Sequence, residues 1–215
     1  TLRLVDAVRI DHFRGFEAYW EIPADQETAQ HGEWVPAPGW ELFEAIRGAL
    51  PDAPILAEDL GVITEQVRAL RNHFNLPGMI LLQTGFNPEG HRDPNFLPHN
   101  HTRDMVVYPG THDNDTTVGW YEQLGQEERA FLMDYVGHGV PEIHWELIRL
   151  AMASVAQWAI TPMQDVLGLD SDARMNRPSV PGGNWSWRCP ADYASRGAGP
   201  RLLRLAEMYG RIPQR

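Results

Sequence analysis

Val8-Arg9-Ile10-Asp11-His12-Phe13-Arg14-Gly15 decides the reading of this chain: a short apolar run meets a carboxylate and then a polar, glycine-ended loop. Two further stretches repeat the layout. Ile55-Leu56-Ala57-Glu58-Asp59-Leu60-Gly61 ends its apolar run on Glu58, and Met105-Val106-Val107-Tyr108 leads into Gly110-Thr111-His112-Asp113-Asn114-Asp115-Thr116. Each reads as a buried strand whose C-terminal end presents an acid to a shared cleft, as in α/β barrel enzymes. Three acids at strand ends suggest sugar chemistry.

Outward from these stretches, apolar runs alternate with helical patterns, which favours an α/β architecture with parallel strands. Between the first two strands, residues 39–50 carry Leu42, Phe43 and Ile46 at helical spacing, giving a βαβ unit. After Thr64, an N-cap residue, Val67, Leu70 and Phe74 form a stripe that stops before Pro77. A third strand is expected at 79–83 and a fourth at 105–108, with helices over 119–136 and 141–159 broken at Gly125 and at Gly137-His138-Gly139. The run 160–166 reads as a fifth strand and 201–209 as a last helix. The segment 83–103, rich in Gly, Pro, His and Asn, is long for a simple connection and is expected to act as a substrate loop.

Composition excludes several classes. With 43% hydrophobic and 22% charged residues the 215-residue chain has ordinary globular content and can bury a core. A net charge of -11, with no run of Lys or Arg, argues against a nucleic acid partner. No stretch approaches the roughly 20 apolar residues of a membrane span, and the N-terminus lacks a signal-peptide layout. Cys189 stands alone, so no intramolecular disulfide is possible, and a soluble cytoplasmic protein is expected. A start at Thr1, with the strand beginning almost at once, reads as a fragment.

The acids differ in their neighbours. Asp11 lies two residues after Arg9, so both side chains leave one face of a strand, and a guanidinium beside a carboxylate favours the ionised form that a nucleophile needs. Glu58 follows apolar residues and has no basic residue within several positions, the setting of a proton donor. Asp113, with His112, Asn114 and Asp115, suits hydrogen bonding to vicinal sugar hydroxyls and stabilising positive charge at an anomeric carbon. Retaining glycosidases need this division, with nucleophile and acid/base about 5 to 5.5 Å apart. Singly, each feature has a plainer reading: an Arg-x-Asp pair is more often structural, and a Glu-Asp after a strand more often caps a loop. His112-Asp113 would also suit a metal, but the companion histidines are absent from the pattern, and His12, His91, His99 and His101 read as solvated or hydrogen-bonded rather than ligating. Of the eight Trp, most are expected in packing and one or two at most as sugar platforms.

Several motifs together carry a resemblance. Residues 6–16 with Tyr19-Trp20-Glu21-Ile22-Pro23-Ala24 resemble the nucleophile region of the amylomaltases, the 4-α-glucanotransferases of glycoside hydrolase family 77 in the α-amylase-like clan. Residues 57–64, followed by Leu76-Pro77-Gly78-Met79 and Leu82-Gln83, resemble the family's acid/base motif. Residues 110–117 with Gly119-Trp120 resemble its transition-state-stabilising motif. Gln164-Asp165, Arg174-Met175-Asn176 and Asn184-Trp185-Ser186-Trp187-Arg188 are also similar. The resemblance spans nearly the whole chain in order, which is far more specific than any one motif. The chain departs from the family pattern at Thr84-Gly85 and at Pro109, neither a proposed catalytic group.

The resemblance implies the C-terminal portion, over residues 1–215, of one (β/α)₈ TIM barrel, with its N-terminal part outside this chain. It implies a 4-α-glucanotransferase that cleaves an α-1,4-glucosidic bond, holds the glycosyl unit on Asp11, and passes it to the 4-hydroxyl of another glucan. Glu58 would be the acid/base and Asp113 the transition-state stabiliser; Arg9, His112 and Asn184 would contact substrate. Its partners would be α-1,4-glucans such as maltooligosaccharides, starch or glycogen, with no cofactor and no metal. An α-glucan hydrolase of the same clan and a non-catalytic glucan-binding fragment remain the alternatives.

Overall fold

The apolar run before Asp11 forms strand β1 (Val8–Ile10), and the chain then turns through one 3₁₀ turn, Phe13–Phe16, into an antiparallel hairpin of β2 (Ala18–Glu21) and β3 (Glu33–Pro36). The computed structural model describes residues 1–86 and 94–212, with backbone alone at 195 and 196. These fall into two compact units that divide after Met79.

In the first unit, helix α1 (Gly39–Ala49) leads to β4 (Ile55–Ala57), which lies parallel to β1 with Arg9 beside Leu56 and Ile10 beside Ala57. This is the expected βαβ unit. Helix α2 (Glu65–His73) starts where expected, the Thr64 hydroxyl accepting the Val67 N–H at 3.4 Å. Phe13, Phe43, Ile55, Ala57, Val67, Leu70, Phe74 and Leu76 make one core. Phe43 packs at 5.4 Å from the Phe13 ring and 5.6 Å from that of Phe74, so the residue two after Asp11 is pinned between helix and strand. Burying a ring of that size stabilises by about 1.5–3 kcal/mol. Ala57 N donates to Pro77 O at 2.8 Å, joining β4 to the start of the next strand.

That strand, β5 (Gly78–Leu81), is followed by a helical turn α3 (Leu82–Gly85). Beyond residues 87–93, which lie outside the described residues, come two 3₁₀ turns, Pro94–Phe96 and Pro98–Asn100, then β6 (Met105–Tyr108), α4 (Thr117–Gln123), α5 (Gln126–Val136) and α6 (Ile143–Ala153). The two-residue β7 (Trp158–Ala159), the turn α7 (Met163–Val166) and α8 (Ala198–Met208) complete it. The sheet order is β5-β6-β7, with Val106 beside Trp158 and β7 parallel to β6. The second core gathers Ile80, Leu82, Phe86, Val107, Leu132, Ile143, Leu147, Leu150 and Ala151, and α8 packs Leu202 and Leu205 on Trp145, Ile148 and Val166. The break after α5 is Gly137, in the left-handed region at φ 79° where glycine is unstrained, its N–H closing on Met133 O at 2.8 Å.

The fold is mixed α/β, and three readings differ from it. The run 160–166 is not a strand: the paired residues are Trp158 and Ala159, and after Ile160 N bonds Val107 O at 2.9 Å, Pro162 starts a helical turn, its carbonyl accepting from Asp165 and Val166. The helix expected to 159 therefore stops at Ala153. Strand β5 stops at Leu81 rather than 83, because Gln83 N turns to Pro109 O at 3.1 Å and its side-chain amide to Asp115 O at 3.1 Å. The β2–β3 hairpin was not anticipated, since its strands are separated by eleven residues rather than a tight turn. No helix among the described residues is long and apolar enough to cross a membrane.

Candidate active site

Arg9 organises the first group of acids. Its Nη1 lies 2.8 Å from Asp11 Oδ1 and its Nη2 4.0 Å from Glu58 Oε2, while Nε–H donates to Met79 Sδ at 3.3 Å. The β1–β4 register makes this contact: both acids stand one residue past the end of a paired strand. Asp11 is 78% exposed and Glu58 only 12%, so the first is open to a ligand and the second is fixed by protein. Glu58 accepts the His12 N–H at 2.6 Å on Oε2 and the Leu60 N–H at 3.0 Å on Oε1. The main chains are stitched as well, Glu58 N to Ile10 O and Phe13 N to Glu58 O, each at 2.9 Å. The sequence neighbourhood of Glu58 holds no cation, but the fold supplies Arg9 from across the sheet.

Asp59 faces elsewhere. Its carboxylate takes Arg71 Nη1 at 2.7 Å and the Met79 N–H at 2.8 Å with 8% of its side chain exposed. Burial pushes the Asp59 carboxyl up, and Arg71 and the Met79 N–H pull it back. Gly78 leaves room for this pair: a Cβ there would overlap the Arg71 guanidinium and come within 2.6 Å of Asp59 Oδ2, so both side-chain ends would have to shift. One strand end thus delivers two adjacent acids to two tasks.

The second group sits on the loop after β6. Thr111 N–H and Oγ1–H both donate to Asn114 Oδ1, at 2.8 and 2.9 Å, folding residues 111–114 into a tight turn. Thr116 then caps α4 by accepting the Gly119 N–H at 3.1 Å. His112 Nε2 lies 3.3 Å from Asp113 Oδ2, and Asp113 is about half exposed. Asn176 Nδ2 donates to Asp113 Oδ1 at 2.6 Å, and Arg174 Nη2 to Asp113 O at 2.7 Å. Asp115 is nearly buried and accepts from Ser171 Oγ–H at 2.7 Å and Gln123 Nε2–H at 2.8 Å. Behind it, Asp165 accepts the Thr117 N–H at 2.7 Å, and burial, with Asp115 as a lesser contributor, pushes its carboxyl up to about 6.

The structure therefore brings Arg9, Asp11 and Glu58 together, and separately His112 and Asp113. Asn184 is used by its own loop: Oδ1 accepts the Arg177 N–H at 2.9 Å and Nδ2 donates to Val180 O at 2.9 Å and Arg177 O at 3.3 Å. Sequence reading assigned no role to Asn176 or Arg174, although both stand in a stretch quoted for its resemblance; neither residue type is diagnostic, and the partner lies some sixty positions away. In the expected substrate loop, His99 Nδ1 meets Tyr135 Oη at 2.9 Å and His101 is buried between Ser154 Oγ and Phe96 O, so both brace the fold, whereas His91 lies outside the described residues. Among the described residues no three His, Cys, Asp or Glu side chains gather as a metal would need.

A family model described as 4-alpha-glucanotransferase matches residues 1–193. The chain is 51% identical over 214 residues to a 4-alpha-glucanotransferase of Synechocystis sp., covering 98% of this chain and 42% of the relative. It is 52% identical over 221 residues to that of Thermus thermophilus, covering 99% and 44%. An amylomaltase from Streptococcus agalactiae, solved in complex with acarbose, superposes with a TM-score of 0.91 at 40% identity over 97% of this chain and 42% of that one. The amylomaltase of Corynebacterium glutamicum shares the fold at a TM-score of 0.72 and 17% identity over 95% of this chain and 36% of that one. The chain spans less than half the length of these relatives, and it belongs to the 4-alpha-glucanotransferase family, glycoside hydrolase family 77.

Proposed function

We propose that the chain carries the catalytic acids of a retaining 4-α-glucanotransferase acting on α-1,4-glucans, as maltooligosaccharides or as starch or glycogen. The observation that carries this is Arg9, seated against both Asp11 and Glu58 at the ends of two parallel strands in a chain of this family. Asp11 attacks the anomeric carbon while Glu58 gives its proton to the departing glycosidic oxygen, which leaves a glycosyl ester on Asp11. The 4-hydroxyl of an acceptor glucan then loses its proton to Glu58 and attacks the same carbon, releasing Asp11. Asp113 accepts hydrogen bonds from the ring hydroxyls and offsets the positive charge of the oxocarbenium-like transition state. Arg9, His112 and Asn184 serve the substrate side, Arg9 also keeping the nucleophile in place and Asn184 acting through the loop that it closes.

The strands at 8–10, 55–57, 78–81, 105–108 and 158–159 are proposed as staves of a (β/α)₈ barrel whose other strands belong to the rest of a cytoplasmic protein, all residues 1–215 serving that one catalytic domain. Acids at the C-terminal ends of parallel strands support this.

The test uses the longest natural protein containing this chain, incubated with maltotriose and resolved by product size. Glucose with oligomers longer than the substrate establishes transfer. Glucose and maltose alone mean hydrolysis with the same acids, and no change means a binding role. Asp11→Asn is expected to abolish turnover and to leave glucan affinity largely intact; retained turnover removes Asp11 from the nucleophile's role.

A further inference from the structure

Beside His112 stands an indole to which the chemistry above gives no task. The Trp185 ring lies 5.0 Å from the His112 ring at a 38° tilt, yet Trp185 remains 55% exposed. Its backbone is held at φ 60°, the left-handed region that a bulky residue avoids. That conformation is imposed by the surrounding loop. Trp185 N–H donates to Met175 O at 2.8 Å, its carbonyl accepts from Arg188 Nη1 at 2.9 Å, and the preceding Asn184 amide closes the turn on Arg177 and Val180. Ser179 is also left-handed, at φ 65°, so the loop holds two non-glycine residues in that region, fixed by polar bonds.

Strain of this kind persists where the surroundings over-determine it, and it clusters at active sites and ligand clamps. Three of the other exposed indoles, Trp20, Trp34 and Trp40, pack on protein rings or a cation, while Trp158 lies on strand β7. Trp34 lies under the Arg14 guanidinium at 4.1 Å and against Trp20, and Trp40 packs on His73 and Phe74. Trp185 instead adjoins an imidazole that itself lies 3.3 Å from Asp113. A flat apolar face beside a hydrogen-bonding carboxylate and imidazole matches a pyranose, which has C–H groups on its faces and hydroxyls around its rim.

We propose that Trp185 is a glucan-stacking residue, its indole taking the C–H face of a glucopyranosyl ring beside His112 and Asp113, with Asn184 the positioning residue that presents it. The inference rests on the glucanotransferase reading for its ligand, but its test does not need turnover. Maltoheptaose is titrated calorimetrically into the full-length protein carrying Asp11→Asn, alone and with Trp185→Ala, Trp185→Phe or Asn184→Ala added. Trp185→Ala is expected to weaken Kd about tenfold, Trp185→Phe to restore it to within about threefold, and Asn184→Ala to fall between.

In the active protein the same Trp185→Ala change raises KM about tenfold and leaves kcat within about threefold. Undiminished affinity in Trp185→Ala overturns the stacking role whatever the activity. A loss of affinity that Trp185→Phe fails to restore overturns it too, because it marks a structural effect. If affinity behaves as expected while the active protein does not rearrange maltotriose, the stacking role stands and the transferase reading falls.

Discussion

The main-chain N–H of His12 donates to the Glu58 carboxylate at 2.6 Å, so the residue that follows Asp11 in sequence holds the other acid in space. His12 does this from the left-handed region, at φ 47° and ψ 55°. For a residue with a Cβ that conformation costs on the order of 1–3 kcal/mol.

His12→Gly should therefore keep or raise stability, and His12→Val should lower it by about 1–3 kcal/mol, since a β-branched residue tolerates positive φ worst. Chemical denaturation of the full-length protein checks both, and equal stability of the two variants would sink the account. Activity of His12→Val should fall with the loss of the Glu58 contact, whereas His12→Gly retains the N–H.

Asp59→Ala should cost about 3–5 kcal/mol, because it removes the carboxylate partner of the largely buried Arg71 guanidinium. Gly78→Ala should be damaging for the same pair, as the new methyl overlaps it. A urea midpoint within error of the parent for either variant would contradict this arrangement.

Asn176→Ala removes the donor at 2.6 Å from Asp113 Oδ1. If Asn176 sets the carboxylate's rotamer, kcat should fall by roughly 10² with KM much less affected. A change confined to KM would place Asn176 on the substrate rather than behind Asp113.

Asp165 gives a pH dependence of stability. Its carboxyl is pushed from 3.8 up to about 6, so the folded state binds a proton more tightly than the unfolded chain. Stability from this group is fully present below 3.8 and is lost as pH rises to about 6, about 3 kcal/mol in all. Asp165→Asn keeps an oxygen for the Thr117 N–H and removes the titration, so the difference between variant and parent should grow across that window and stay flat above it. A constant difference from pH 4 to 7 would show that Asp165 does not titrate there.

The strands before Asp11 and Glu58 were legible because each is a β-branched or aliphatic run, a local pattern that survives folding intact. Thr64 and the Val67, Leu70 and Phe74 stripe were legible for the same reason, and all three apolar residues are buried. What was not legible depends on partners distant in sequence. Nothing near Glu58 announces Arg9, whose contact exists only because Arg9 is in register with Leu56 on β4. Asn176 is silent until a loop brings it to Asp113. Residues 160–166 have the apolar character of a strand, and Pro162 is the signal that should have weighed more, since it supplies no N–H for a ladder.

Arg9 is a planar group of fixed width with an acid resting against each of two nitrogens and a thioether against the third. Whatever moves its guanidinium therefore changes the surroundings of both acids at once, so the two carboxylates are coupled through one side chain.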